Sequence, residues 1–183
     1  MSDNAVYFWK PESKDGYLGQ WYPSKFISTE EDGKHYSYEN TEQYMMHRKA
    51  LLFAPTDPIV NSIVPKDSST PVPHPRNLRS LGRQIPNFDD KTWGKNRFKI
   101  VVQGNYLKFT QNKKLKEMLL KTGDAEIVEA SPRDRIWGVG FGAKRAGSMR
   151  HRWGMNLLGK ALMEVRERIR KEEEEAVEGE EEM

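Results

Sequence analysis

The chain has 183 residues, of which 36% are hydrophobic and 31% charged, and it contains no cysteine. This suits one domain with a real core, excludes disulfides and cysteine chemistry, and leaves no apolar run near the roughly 20 residues of a membrane-spanning helix. Eight of the 27 acidic residues fall in residues 172–183, so behind a net charge of +3 residues 1–171 hold 30 basic and 19 acidic residues, or +11.

In chain order, residues 6–9 read as a short strand, followed by a loop through Pro11, Gly16 and Gly19. Residues 25–29 and 34–38 bracket the turn-forming Glu31-Asp32-Gly33 and read as a hairpin. A helix starts at Asn40 or Thr41, with Asn40 and Gln43 spaced as a capping box, and stops before Pro55. Asp57-Pro58 caps a short helix over 59–64, and the Pro- and Ser-rich residues 65–75 form an exposed loop. Residues 76–81 return to helix with Gly82 as its cap, and 88–111 give a long helix with Gly94 and Gly104 as weak points. Residues 112–121 form another helix, 125–129 alternate as a strand, and 131–152 are Gly-rich and basic. The last helix runs from Asn156 to about Lys171, and the acidic residues 172–183 are expected to be a disordered tail.

The charge of the body favours an anionic partner such as nucleic acid or a nucleotide phosphate. The other reading is a solvated surface balanced by the tail. Met1-Ser2-Asp3-Asn4-Ala5 lacks the basic and apolar regions of a signal peptide, so an intracellular address is expected. The four histidines are scattered, no metal-ligand spacing appears, and neither metal nor cofactor is expected.

Glu42 and Lys49 stand seven residues apart, which is roughly two helical turns, so they share a face with Met45 and Met46 between them. An acid and an amine on one partly apolar face suit a proton donor and a nucleophile for one substrate. They equally suit the two solvated ends of an ordinary amphipathic helix. After the strand at 125–129, Asp134 lies between two arginines and Trp137 precedes Gly138, an arrangement that fits either a flat stacking surface or a structural turn. Trp137 to Trp153 interleaves aromatics with Lys144, Arg145, Arg150, His151 and Arg152, as phosphate contacts beside stacking surfaces would need.

Several motifs together resemble one family. Tyr38-x-x-x-Glu42-x-Tyr44-x-x-x-Arg48-Lys49, Leu81-Gly82-Arg83, residues 88–93, the run from Val128 through Asp134 to Trp137-Gly138, and Asn156-Leu157-Leu158-Gly159-Lys160 through Arg166 are similar to the NADAR superfamily, also called YbiA-like. Leu18-x-x-Trp21-Tyr22-Pro23 resembles the family's Leu-Ser-Asn-(Phe/Trp)-Tyr-Pro, with Gly19-Gln20 in place of Ser-Asn. The match is in order and covers about residues 6–168.

The resemblance implies an α+β fold, a single mostly helical domain over 1–171 with a small β-sheet, acting as an N-glycosidase on the bond between a nitrogen and ribose C1′. Members of the family act on riboflavin-pathway intermediates, and others remove ADP-ribose from guanine in nucleic acid. The family's active-site Glu and Lys fall on Glu42 and Lys49. Trp93, Asp134, Trp137 and Gly138 are expected to line the pocket, as are Trp21, Tyr22 and Arg48, with Arg83 holding phosphate. ADP-ribosylated nucleic acid or a free ADP-ribosyl nucleoside is the expected substrate, with no membrane partner and a monomeric enzyme. Lys49 is expected to attack C1′ and form a Schiff base with Glu42 as general acid and base, the amine being deprotonated by burial with help from Arg48 or residues 144–152. A two-carboxylate route through Glu42 and Asp134 stays open beside it. So do a riboflavin-pathway substrate and, from another class, a binding module without turnover.

Overall fold

The computed structural model describes residues 4–30, 33–67 and 69–181, and it is a mostly helical α+β fold, as expected. In chain order the elements are β1 (Ala5–Phe8), β2 (Phe26–Thr29), β3 (His35–Tyr38), α1 (Thr41–Phe53), α2 (Ile59–Ile63), α3 (Pro75–Gly82), α4 (Asp90–Thr110), α5 (Lys113–Leu120), β4 (Glu126–Glu129), α6 (Ala143–Ala146) and α7 (Leu157–Glu181). They form two compact units. One holds residues 20–112, and the other is assembled from both ends of the chain, 1–19 and 113–183.

In the unit of residues 20–112, β2 and β3 pair antiparallel with Phe26 opposite Tyr38, which is the expected hairpin. Its turn residues Glu31 and Asp32 lie outside the described residues, as does Ser68 of the 65–75 loop. Phe26, Tyr38 and Tyr44 pack as an aromatic core, with ring centres 5.1–6.0 Å apart. Asn40 starts α1 by accepting from the Gln43 amide at 2.9 Å, and Gln43 returns the bond to the Glu39 amide, one residue before the expected partner. The seven residues from Thr41 to His47 are all buried, so this half of α1 is enclosed on every side.

Neither glycine interrupts α4. At Gly104 an added Cβ would lie 2.6 Å from the Tyr44 ring, so the missing side chain lets α4 close onto α1. Gly82 is likewise the last residue of α3 rather than a residue beyond it.

In the other unit β1 pairs parallel with β4, Ala5 opposite Glu126, so the described residues form two small two-stranded sheets. Ile127 and Val128 are both fully buried, which replaces the expected alternation: a parallel strand covered on both faces has no solvent side. Asn156, with φ 50°, lays its side chain along β4, accepting from the Glu129 amide at 3.0 Å and donating to the Ile127 carbonyl at 2.9 Å. Gly159 lets α7 pass so close that a Cβ would meet the Ile127 carbonyl at 2.1 Å.

The tail expectation is corrected here. α7 continues to Glu181 instead of ending near Lys171. Ion pairs Arg168–Glu172 at 2.9 Å and Lys171–Glu175 at 3.7 Å span one turn, and Lys116 of α5 reaches Glu173 at 2.6 Å. These pairs offset part of the repulsion among the glutamates.

Candidate active site

Lys49 lies in the third turn of α1, and its amine is held by neighbours from two other segments. Nζ donates to the Gly82 carbonyl at 2.7 Å and stands 4.3 Å from the centre of the Phe88 ring and 5.6 Å from that of Trp93. Asp89 caps α4 by accepting from the Thr92 amide at 2.7 Å. Phe88 and Trp93 therefore occupy the positions of a hydrophobic staple, one before the cap and one in the first turn. Asn87 turns the chain through a left-handed backbone, φ 58°, immediately before Phe88, and Phe53 packs edge-on against that ring at 5.3 Å. Phe88 stays 44% exposed, so the amine sits beneath an aromatic wall that solvent also touches.

Burial pulls the Lys49 amine below its ordinary value, and the Asp90 carboxylate at the start of α4 opposes that. A lowered value favours the neutral amine, which is the nucleophilic form, and one hydrogen bond to Gly82 leaves that form its lone pair. A Cβ at Gly82 would lie 2.1 Å from Met46 Sδ, so a side chain there must displace the end of Met46.

Glu42 is the second residue of α1 and only 5% exposed, which removes the reading of two solvated helix ends. Its amide donates to the Gln20 carbonyl at 3.0 Å, and Thr41 Oγ1 donates to the same oxygen at 3.2 Å. Gln20 Oε1 accepts from Asn105 of α4 at 2.9 Å, so the residue that departs from the family pattern ties the Glu42 end of α1 to α4. Lys49 lies roughly 10 Å further along the axis, and helical side chains lean toward the N-terminus, that is, toward the turn of Glu42.

Arg48 is turned elsewhere. It pairs with Glu30 at 2.6 Å, and so does not act as the expected cation beside the amine. The acidity of Lys49 comes from burial. Trp93 is buried, Trp21 meets His74 edge-on at 6.0 Å, and Arg83 is exposed just past the end of α3. Tyr22 lies 5.6 Å from the amine of Lys108, a fully buried lysine whose pKa burial pushes down to about 7.

Asp134, Trp137 and Gly138 belong to the unit formed by the chain ends. Asp134 Oδ1 accepts from the Ile136 and Trp137 amides at 2.9 and 2.8 Å, which commits one carboxylate oxygen to the turn. Gly138 is enclosed: a Cβ would meet the Glu129 carbonyl at 2.8 Å. The Ile136 and Trp137 carbonyls accept from the first amides of α7, so the loop is knitted to both β4 and α7.

Sequence reasoning overlooked Phe88 and Lys108 as individual residues. For Phe88 the signal was its position before the Asp89 cap; for Lys108 it was a place seven residues after Val101 and beside Phe109, on the buried stripe of α4.

The NADAR domain model matches residues 7–170 of this chain. N-glycosidase R617 of Acanthamoeba polyphaga mimivirus is 41% identical over 152 residues, 82% of this chain and 85% of that protein. The chloroplastic riboflavin biosynthesis protein PYRR of Zea mays is 27% identical over 91% of this chain and 25% of its own length. The NMR structure of E. coli YbiA superposes with a TM-score of 0.69 at 25% identity, covering 94% of this chain and 89% of YbiA.

Proposed function

The chain belongs to the NADAR domain family, and from that premise we propose an N-glycosidase that releases ADP-ribose from guanine bases of nucleic acid. Hydrolysis of an N-glycosidic bond is the activity carried in the names of its relatives, R617 among them. The finer reading rests on one observation: a lysine amine desolvated between Phe88 and Trp93, on the same helix face as a buried glutamate.

In this reading Lys49 Nζ forms a bond to C1′ as the bond from C1′ to the base nitrogen breaks, and Glu42 gives the departing base its proton. Opening of the ribose ring yields a protonated Schiff base at Lys49, with the proton taken by the ring oxygen. Water activated by Glu42 then adds to C1′, the amine leaves, and the sugar recloses. The rings of Phe88 and Trp93 face the cationic nitrogen and favour it through their π-faces, by about 0.5–1 kcal/mol at a partly exposed site. The +11 of residues 1–171 supports a polyanionic substrate.

A second reading, hydrolysis of a phosphorylated riboflavin-pathway intermediate, draws support from the likeness to PYRR. Incubation of the pure protein with ADP-ribosylated DNA and, separately, with such an intermediate decides between them. Release of ADP-ribose from the first supports the proposal. Release of ribose phosphate from the second alone transfers the assignment, and tight binding of the modified DNA without any release points to a non-catalytic module.

A further inference from the structure

On α7, Arg166, Arg168, Arg170 and Lys171 are each matched to a carboxylate, as Arg168 is to Glu172 and Arg170 to Asp124 and Glu167. In residues 133–152 there are six basic residues and one acidic residue, Asp134, whose Oδ1 is already committed to its own turn. Arg150 pairs with Glu126 at 2.6 Å, but Arg133, Arg135, Lys144, Arg145 and Arg152 are exposed and have no ion-pair partner among the described residues.

Two of these cations are brought together. The guanidinium carbons of Arg135 and Arg152 each lie 5.9 Å from the centre of the Phe141 ring. Phe141 is itself packed on the core of Val128, Val139 and Ala146, so the platform is fixed. Arg135 is fixed too: its Nη2 donates to the Arg152 carbonyl at 2.7 Å, and its stem covers Gly140, where a Cβ would stand 2.8 Å from Arg135 Cγ. Like charges gathered on one ring repel. An anion between them removes that cost and receives charge-assisted hydrogen bonds from two forked donors.

We propose that Arg135 and Arg152 over Phe141, with Lys144 and Arg145 on the adjoining α6, form a phosphate-binding surface that takes the backbone of a single-stranded nucleic acid. This deepens the reading given under Proposed function by naming how the polynucleotide is held, but it stands on its own residues. A strand of successive phosphates suits several cations without ion-pair partners distributed over one short segment, and the half-buried rings of Trp137 and Trp153 lie in the same segment.

The test is fluorescence anisotropy with a labelled, unmodified oligothymidylate, comparing the wild type with Arg145→Gln/Arg152→Gln. These side chains are exposed and hold no carboxylate, and Arg135 keeps its bond to the residue 152 carbonyl. Lys113→Gln/Lys114→Gln on α5 changes the net charge equally and serves as control. The surface variant is expected to bind about tenfold more weakly at low salt, with a salt slope shallower by roughly 1.4, as for the loss of two single-strand phosphate contacts, while the control stays within about twofold. Equal losses in both variants, or none in either, overturn the proposal. A raised KM for a free ADP-ribosyl guanine nucleoside with unchanged oligothymidylate affinity assigns the surface to the pyrophosphate of a small substrate and overturns the polynucleotide assignment. Failure to release ADP-ribose from any nucleic acid, with the anisotropy result intact, counts against the proposed reaction and leaves this surface standing.

Discussion

The Lys49 amine donates a 2.7 Å hydrogen bond to the carbonyl of Gly82, tying α1 to the last residue of α3. The neighbourhood of that carbonyl is crowded: a Cβ at Gly82 would fall 2.1 Å from Met46 Sδ, one turn before Lys49. Gly82→Ala is therefore expected to displace the carbonyl and lower turnover by roughly ten- to a hundredfold with the fold retained. Met46 is flexible, so Gly82→Ala/Met46→Ala should recover most of the activity at some cost in stability. Steady-state kinetics with thermal melts of both variants check this; equal activity in wild type and Gly82→Ala contradicts it.

Glu42 is buried at the first turn of α1, where its amide is held by the Gln20 carbonyl. Glu42→Gln keeps the volume and the backbone bond and removes proton transfer. Turnover should fall by about a hundredfold or more with an unchanged melting temperature. A variant that turns over normally would remove Glu42 from the chemistry.

His47 is fully buried against Tyr38, 2.8 Å from its hydroxyl, and burial pushes its pKa down to about 4. The unfolded chain takes up a proton near pH 6.5, which the folded chain refuses until about pH 4. The contribution of His47 to stability is therefore complete above 6.5 and lost as pH falls through this window, by on the order of 3 kcal/mol. Glu30, held low by its hydrogen bond and ion pair with Arg48 against the cost of burial, adds its own loss only below its ordinary 4.5. Urea midpoints between pH 7 and 5 should fall for the wild type and stay flatter for His47→Gln, which can still meet the tyrosine.

Much of this was legible from the chain. The Asn40 cap, the hairpin and the long helix α4 are local patterns, and local hydrogen bonds deliver them. The pairing of β1 with β4 was not, because the partners are more than a hundred residues apart and no turn sets their register. In the candidate site, the shared face of Glu42 and Lys49 was readable from helical spacing, and their expected roles came from the family resemblance. The Phe88 wall and the Gly82 carbonyl were not, since both depend on how α3 and α4 meet α1. The pairing of Arg48 with Glu30 was not legible either, because spacing along one helix does not reveal Glu30 on its other flank.

Lys108 couples stability to pH in the direction set by a depressed amine. Burial pushes its pKa down to about 7 from the ordinary 10.5, so between those values the unfolded chain binds more protons than the folded one. Stability should rise with pH across that window by up to about 1.4 kcal/mol per unit, with Lys49 adding in the same direction. Above pH 10 Tyr17, held up to about 12 chiefly by burial, reverses the trend. Denaturation at pH 7, 8 and 9 should show the rise in the wild type and a weaker one in Lys108→Met; identical slopes contradict a buried, depressed amine.

The central claim, that the Lys49 amine attacks the anomeric carbon, is tested most directly by adding sodium borohydride during turnover of ADP-ribosylated DNA and locating the adduct by mass spectrometry. A reduced ribosyl adduct on Lys49, absent from Lys49→Ala, is the predicted result. Full activity in Lys49→Ala with no adduct anywhere on the wild type would contradict it.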